Sequence, residues 1–372
     1  MAVATSRKLF EPTQVGPIPL SHRVVMSPLT LLRAEVPGDI PGPLMAEYYR
    51  QRASEGGLII SEATTVSMRG RGYLGAPGIY SDAQVVGWPK VVDAVHAKGG
   101  RIVLQLLHVG RVGHVDMTGG VAPLAPSVVP FQGIAYTAEG WVPASPHRAI
   151  ALQDIPGIVD EYRSAAKRAR AARFDGVEIH AGNGYLLDQF LQDGSNKRTD
   201  AYGGSVENRA RLLFEVVRAV ACVWGRARVG VRISPSTIFN GMSDSNSGVL
   251  FCHVADRLDE FGIAYLHIIE PRSSGNKSIT EGLPPVASEL LRKHFAGTII
   301  AAGGFEPETA ADILARGDAD LVAFGRHFSA NPDLPRRIKL GLPLNAYDRS
   351  TSHGGDHRGY IDFPYHKGGA EI

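Results

Sequence analysis

Short β-branched runs recur along the 372-residue chain, each too apolar for a strand with one wet face and each followed by a longer segment. They are Arg23–Pro28, Leu58–Thr64, Arg101–Leu107, Gly176–Ala181, Arg228–Ser234, Tyr265–Pro271, Thr298–Gly303 and Leu321–Gly325. Strands covered on both faces belong in a parallel sheet, because helical crossovers supply the cover. The stretches Val85–Lys98, Ile155–Arg173, Glu207–Val223 and Pro307–Arg316 carry apolar residues at three- and four-residue spacing and supply such helices. Eight βα units favour a closed (β/α)8 barrel, an α/β fold of the TIM type, over an open doubly wound sheet, which usually has fewer strands. No GxGxxG follows the first run to hold a dinucleotide. The length suits one barrel with insertions, so residues 1–372 read as a single domain.

Two features fall outside the repeat. Residues 9–20, with Leu9-Phe-Glu-Pro and Pro17-Ile-Pro-Leu, suggest a β-hairpin able to plug the lower end of the barrel. The stretch from His108 to Asp154 is Gly- and Pro-rich and far longer than the usual βα loop of about two to six residues. It reads as a capping loop over the active site; a smaller inserted domain is the alternative, disfavoured by scattered prolines and the lack of a helical period. Residues 341–372 form a C-terminal tail beyond the last unit.

Charge directs attention to small molecules. Lys+Arg number 39 against Asp+Glu 37, and no basic run interleaved with aromatics suggests a nucleic-acid surface or a membrane anchor. No apolar stretch approaches the roughly 20 residues of a membrane helix, and the first residues have no signal-peptide core, so a cytoplasmic location is expected. Cys222 and Cys252 are too few and too distant for a disulfide framework or a metal set, and are expected to be buried core thiols. Monomer and homodimer are equally compatible with the sequence.

In barrels of this kind the C-terminal strand ends carry function. Here they present Pro28-Leu29-Thr30, Glu62-Ala63-Thr64, Gln105 to His108, His180-Ala-Gly-Asn183-Gly-Tyr185, Arg232, Ala302-Gly303-Gly304 and Gly325-Arg326. Glycine-exposed amides and a guanidinium after the seventh and eighth strands form a common phosphate site, which implies a phosphorylated ligand. His180 and Asn183, at i and i+3, are neighbours if a helical turn starts there, and can converge on one oxygen. Tyr185 offers a phenol still protonated at neutral pH. Arg232 within Val229-Gly-Val-Arg-Ile, and Gln105 within Val103-Leu-Gln-Leu-Leu, are polar groups in apolar strands that need either a partner across the barrel or a ligand.

These segments together resemble the Old Yellow Enzyme family: Val25-Met-Ser-Pro-Leu-Thr30, Ile60-Ser-Glu-Ala-Thr64, Gln105-Leu-Leu-His-Val-Gly-Arg111 and Gly176-Val-Glu-Ile-His-Ala-Gly-Asn-Gly-Tyr-Leu-Leu187. Gln189-Phe-Leu, Asn196-Lys-Arg-Thr-Asp-Ala-Tyr-Gly-Gly-Ser205, Glu207-Asn-Arg209, Ala323-Phe-Gly-Arg326 and Asn331-Pro-Asp-Leu extend the likeness over almost the whole chain.

The resemblance implies an ene-reductase with bound FMN and NADPH or NADH as hydride donor, acting by ping-pong on an activated alkene, an α,β-unsaturated carbonyl or nitro compound. By the same resemblance Pro28, Leu29 and Thr30 lie near the flavin's reactive edge, Ala63 lies against the ring, and Gln105 and Arg232 bind its pyrimidine side. Ala302, Gly303, Gly304, Gly325 and Arg326 hold the phosphate end. His180 and Asn183 bind the substrate oxygen, Tyr185 protonates the α-carbon, and Tyr73 lies near the pocket. Leu107 replaces a tryptophan of many bacterial relatives and leaves room above the flavin. Thr351-Ser-His-Gly-Gly355 lacks a pocket tyrosine found near there in several relatives. Thr30 places the chain with relatives in which a hydroxyl rather than a thiol adjusts the flavin.

Other readings fit less well. A hydroxyacid-oxidase barrel needs a base, commonly a late histidine, and the ends of the sixth and seventh runs offer none. The larger dienoyl reductases need more cysteines and another domain. A nitroester or nitro reductase stays within the same chemistry, and a non-catalytic flavin barrel has no use for the set of His180, Asn183 and Tyr185. His108 with His114, and His353 with His357, lack companion ligands, so no metal is expected. His108 is a candidate for shaping the pocket floor.

Overall fold

The computed structural model describes residues 6–271, 273–274, 277–278 and 286–367. The chain enters through a 3-10 turn at Ser6–Phe10 and an antiparallel hairpin of β1 (Thr13–Val15) and β2 (Ile18–Leu20). The hairpin is thus shorter than residues 9–20, because Leu9 and Phe10 wind into the turn. Barrel strands β3 (Val24–Met26) and β4 (Leu58–Ile60) flank α1 (Pro43–Arg52), and β5 (Thr64–Thr65) extends the second strand end. Helix α2 (Asp82–His96) leads to β6 (Arg101–Leu107). The helix starts at a capping box in which Ser81 and Gln84 satisfy each other's backbone N–H groups.

After β6 the stretch from His108 to Asp154 runs over the mouth. It is not loop throughout: β8 (Ile134–Thr137) and β9 (Gly140–Pro143) form an antiparallel hairpin, and β7 (Leu124–Ala125) pairs in parallel with β10 (Arg148–Ala149). Then follow α3 (Ile155–Ala171), β11 (Gly176–Ala181), α4 (Leu186–Leu191), α5 (Val206–Trp224), β12 (Val229–Ile233), α6 (Ser247–Phe261) and β13 (Tyr265–Ile269). Beyond a two-residue pair, β14 (Ser273–Ser274) with β15 (Lys277–Ser278), come α7 (Ser288–Leu291), β16 (Ile299–Ala302), α8 (Pro307–Arg316), β17 (Leu321–Phe324), α9 (Arg326–Ala330) and α10 (Leu334–Leu340).

The eight β-branched runs become eight parallel strands in the order β3, β4, β6, β11, β12, β13, β16, β17, and β17 pairs back onto β3 through Ala323 and Val25. The sheet therefore closes into a (β/α)8 barrel. Alternation sends Val25, Leu58, Ile60, Val103, Tyr265, Ile300, Ala302, Leu321 and Ala323 inward, where they pack with Val15, Ile18 and Leu20 of the N-terminal hairpin. The hairpin thus plugs the interior as its apolar faces suggested. Residues facing outward from the strands pack with the helices into a second, larger core.

The two cysteines depart from expectation. Cys222 on α5 is exposed and Cys252 on α6 is half-buried, because both fall on the solvent side of their helices' apolar stripes. Among the described residues no helix is long and apolar enough to cross a membrane.

Candidate active site

The C-terminal strand ends gather a small aromatic and apolar cluster at the mouth. Leu32, Ala63, Tyr73, Leu107 and Tyr185 pack together there, with Tyr136 of the cap against them. The cap is stitched to the Tyr73 loop by Tyr136 N donating to Gly72 O at 3.0 Å and Leu74 N donating to Tyr136 O at 2.7 Å. Tyr73 and Tyr185 share a hydroxyl–hydroxyl hydrogen bond of 3.2 Å. Trp141 of β9 packs edge-on to Tyr73, and His353 of the tail packs edge-on to Trp141, with ring centroids 5.5 Å apart in the second pair. Cap and tail thus meet beside Tyr73, the hydrogen-bond partner of Tyr185.

His180, next to last in β11, faces the interior and is 3 % exposed, with its ring edge-on to Tyr185 at 5.3 Å. The chain then turns, and not as a helix. Asn183 has φ 55° and Gly184 φ 72°, so His180 and Asn183 are not stacked at helical spacing. The left-handed turn is held from outside. Asn183 N donates to Ser234 Oγ at 2.6 Å, Asn240 Nδ2 to Asn183 O at 2.9 Å, Gly184 N to Asp188 Oδ2 at 2.8 Å, and Gln189 Nε2 to Gly184 O at 2.7 Å. A side chain at Gly184 would also strike Asn240, 2.6 Å from an added Cβ.

Below the mouth lies a polar layer. Gln105 Nε2 donates to Glu178 Oε1 at 2.7 Å, and His267 Nδ1 bonds Glu178 Oε2 at 2.8 Å. Arg232 is in register with His180 on one side and His267 on the other, and its Nη2 reaches Ser27 Oγ at 3.5 Å. Burial, then Arg232 and His267, push His180 well below the usual imidazole range, so its ring is neutral. Burial raises the Tyr185 phenol, opposed by the Tyr73 hydrogen bond and by Arg232, so it keeps its proton at neutral pH. His180 Nδ1, Arg232 Nε, His267 Nε2 and Tyr265 Oη are buried polar atoms without a protein partner. Four such atoms in one barrel interior suit a polar ligand seated on them.

The opposite side of the mouth has glycine geometry. Gly303 and Gly304 take φ 113° and 67°, open to glycine and strained for other residues, and Gly304 is exposed. Gly325 lies against Leu29, whose Cδ2 would be 3.2 Å from an added Cβ, and Arg326 is exposed at the start of α9. Pro28 is buried and Thr30 half-buried beside them. Exposed amides and a guanidinium fit a phosphate, and Arg232, with its Nε unpartnered, and the Gln105 amide two strands away fit the polar edge of a ring, so the donor set matches a flavin mononucleotide.

Comparison with known proteins bears on the same residues. The sequence model of the NADH:flavin oxidoreductase / NADH oxidase family matches residues 8–345. This chain belongs to that family. A flavin oxidoreductase of Emericella nidulans, hxnT, is 46% identical over 96% of this chain and 97% of its own. The 12-oxophytodienoate reductase 1 of Oryza sativa subsp. japonica is 45% identical over 98% and 95%. Among solved structures, morphinone reductase superposes with a TM-score of 0.90 at 47% identity, covering 96% of each chain. The old yellow enzyme homologue of Zymomonas mobilis gives 0.92 at 42%, covering 96% of this chain and 99% of that one. The protein is therefore an Old Yellow Enzyme family member, an FMN-dependent oxidoreductase drawing on a reduced nicotinamide.

Within this family frame the structure brings together His180, Tyr185, Tyr73, Leu107 and Ala63; Gln105 lies on Glu178, and Arg232 stands two strands from Gln105, between His180 and His267. His108 is corrected. It packs on Gly70, with its Cδ2 3.1 Å from where an added Cβ would sit, and its Nδ1 accepts from Gly110 N, so it braces the outer loops and not the pocket floor. Glu178 and His267 escaped the sequence reading, although each is a polar residue inside an apolar run, the same signal that marked Arg232. Asp188 and Ser234 escaped it because they act through backbone groups. Among the described residues no cluster of potential metal ligands occurs.

Proposed function

We propose that residues 1–372 work as one FMN-binding unit that reduces the C=C bond of α,β-unsaturated carbonyl or nitro compounds, with residues 108–154 as the cap. Pro28, Leu29, Thr30, Ala63, Gln105 and Arg232 would hold the ring, and Ala302, Gly303, Gly304, Gly325 and Arg326 the phosphate end. Held there, FMN would supply the hydride chemistry that links NADPH or NADH to the alkene's β-carbon. The protein's part is positioning and proton control. A neutral His180 and the Asn183 amide donate hydrogen bonds to the substrate's oxygen and draw electron density from the double bond. Tyr185 gives its proton to the α-carbon, and Tyr73, by donating to the Tyr185 oxygen, eases that release. Leu107 leaves space over the ring for a bulky alkene.

The observation that carries this reading is the buried His180, with an unpartnered ring nitrogen, edge-on to a Tyr185 that is already hydrogen-bonded to a second phenol. Anaerobic spectra test it. The flavin band should bleach with NADPH and return on adding 2-cyclohexenone. A protein that stays colourless after reconstitution with FMN, or a reduced flavin that ignores the enone, defeats the proposal.

A further inference from the structure

A carboxylate lies beneath the proposed ring site. Glu178 stands on β11 two residues before His180, faces the interior and is completely buried. Its partners come from two other strands, Gln105 on β6 and His267 on β13. The contact with β13 passes over β12, and it can do so because Glu178 is in register with Gly230, which has no side chain. The Tyr265 ring fills that space instead, 2.2 Å from where a Gly230 Cβ would stand.

An apolar barrel layer is not stabilised by an isolated acid, since burying a carboxylate is costly unless charge and hydrogen bonds compensate it. Here the compensation is specific. Burial pushes Glu178 toward its neutral form, but the hydrogen bonds from His267 and Gln105 and the charge of Arg232 outweigh burial and hold the carboxyl below its ordinary range. His267 is driven down by burial, with Arg232 adding to this against Glu178, and so stays a neutral donor through Nδ1. The groups facing Glu178 are thus one cation, Arg232, with His267 and His180 neutral and Tyr265 protonated.

We infer that Glu178 is a positioning residue of the flavin site: it is the built-in counter-charge of Arg232 and it fixes the orientation of the Gln105 amide. A carboxylate only accepts, so the amide must present its NH2 to Glu178, leaving its Oε1 and second N–H for the ring. An uncompensated Arg232 favours a negatively charged reduced ring; the charge of Glu178 offsets part of that and keeps the reduction potential lower than Arg232 alone would set. The inference rests on the flavin site proposed above.

The experiment is the FMN reduction potential of the loaded enzyme, measured against reference dyes, in wild type and in Glu178→Gln. The glutamine is isosteric, still accepts from Gln105, and can donate to His267 once that ring changes tautomer, so the pocket keeps its shape while losing one charge. The expected result is a potential more positive by about a tenfold change in the dye equilibrium, about 30 mV for a two-electron couple, with an otherwise ordinary flavin spectrum. A yellow Glu178→Gln protein with the wild-type potential overturns the inference and leaves the flavin site standing. A wild-type protein that takes up no FMN overturns the site itself. If Glu178→Gln does not load FMN, His267→Leu tests the same charge. With one donor gone, burial lets Glu178 take a proton in an accessible range, so the difference in potential from wild type should grow as pH is lowered from about 9 to about 6. A difference that stays flat with pH overturns the inference.

Discussion

At the scale of single residues, the proposed roles divide between groups that would bind the substrate's oxygen and one that would give a proton. Tyr185 is nearly buried, its phenol held protonated by burial and its oxygen in contact with Tyr73 Oη. Replacing it with Phe removes the proton and leaves the ring that packs on His180. We expect Tyr185→Phe to bind FMN and accept hydride from NADPH at the wild-type rate, while reoxidation by an enone slows by about 10²- to 10⁴-fold. Stopped-flow measurement of the two half-reactions separates these, and an equal loss in both would mean that Tyr185 shapes the pocket and supplies no proton. Tyr73→Phe should slow only the same half-reaction, by about tenfold, because one hydrogen bond to the Tyr185 oxygen is lost. Much of this site was legible beforehand, since a cation or imidazole at the end of an apolar strand is anomalous on its face. Glu178 and His267 carry the same mark but satisfy each other, and pairing between distant strands leaves no trace in local pattern.

Among the elements, the eight strands and four of the helices, Asp82–His96, Ile155–Ala171, Val206–Trp224 and Pro307–Arg316, followed from period and composition, because strands buried on both faces call for helical cover. The cap's hairpin did not. Its strands are only four residues each, and the second alternates between exposed and half-buried positions, so no apolar face announced it. Nor does the local pattern specify the turn after β11, as its left-handed backbone depends on acceptors remote in sequence, Ser234 above all. Asp188, at the start of α4, locks that turn by accepting from Gly184 N and from Gln192 Nε2, and is completely buried. Burial raises its carboxyl from 3.8 to about 7, against the hydrogen bonds and Arg111 that lower it. Between those values the folded chain holds a proton that the unfolded chain has released, so this group's contribution to stability falls as pH rises through the window and is level above about 7. Asp188→Asn abolishes the titration but keeps one acceptor. Its Tm relative to wild type should therefore climb steadily from about pH 4 to about pH 7, and a difference independent of pH would show that Asp188 is already ionised in the folded protein.

For the whole molecule, the tail is tied to the barrel by an arginine that the strand pattern alone could not have singled out. Arg33 follows the first barrel strand and spends its donors on carbonyls: Asp356 at 3.0 Å, Leu31 at 3.0 Å, Ser352 at 3.2 Å, Thr351 at 2.6 Å and Arg358 at 3.2 Å. Its guanidinium also lies over the Tyr360 ring at 4.5 Å; Tyr360 stacks on Tyr48 at 4.0 Å, and Arg52 closes the stack at 3.6 Å from the Tyr48 ring. The same tail carries Gly354, whose N–H donates to Leu31 O, and His353, which rests on Trp141 of the cap. Tail and Thr30 loop are therefore one assembly, and the rim of the mouth depends on it. Arg33→Met keeps the aliphatic stem but leaves these carbonyls and the ring without a cation, a loss of about 2–4 kcal/mol. The expected result is a tail cleaved by protease under conditions where wild type resists, with KM for a bulky enone raised several-fold while FMN stays bound, because the residues proposed to hold FMN lie on the strand ends and not on the tail. If instead the tail of Arg33→Met resists protease as wild type does and KM is unchanged, the rim is set by the cap alone, and His353 only rests against Trp141 without shaping what enters.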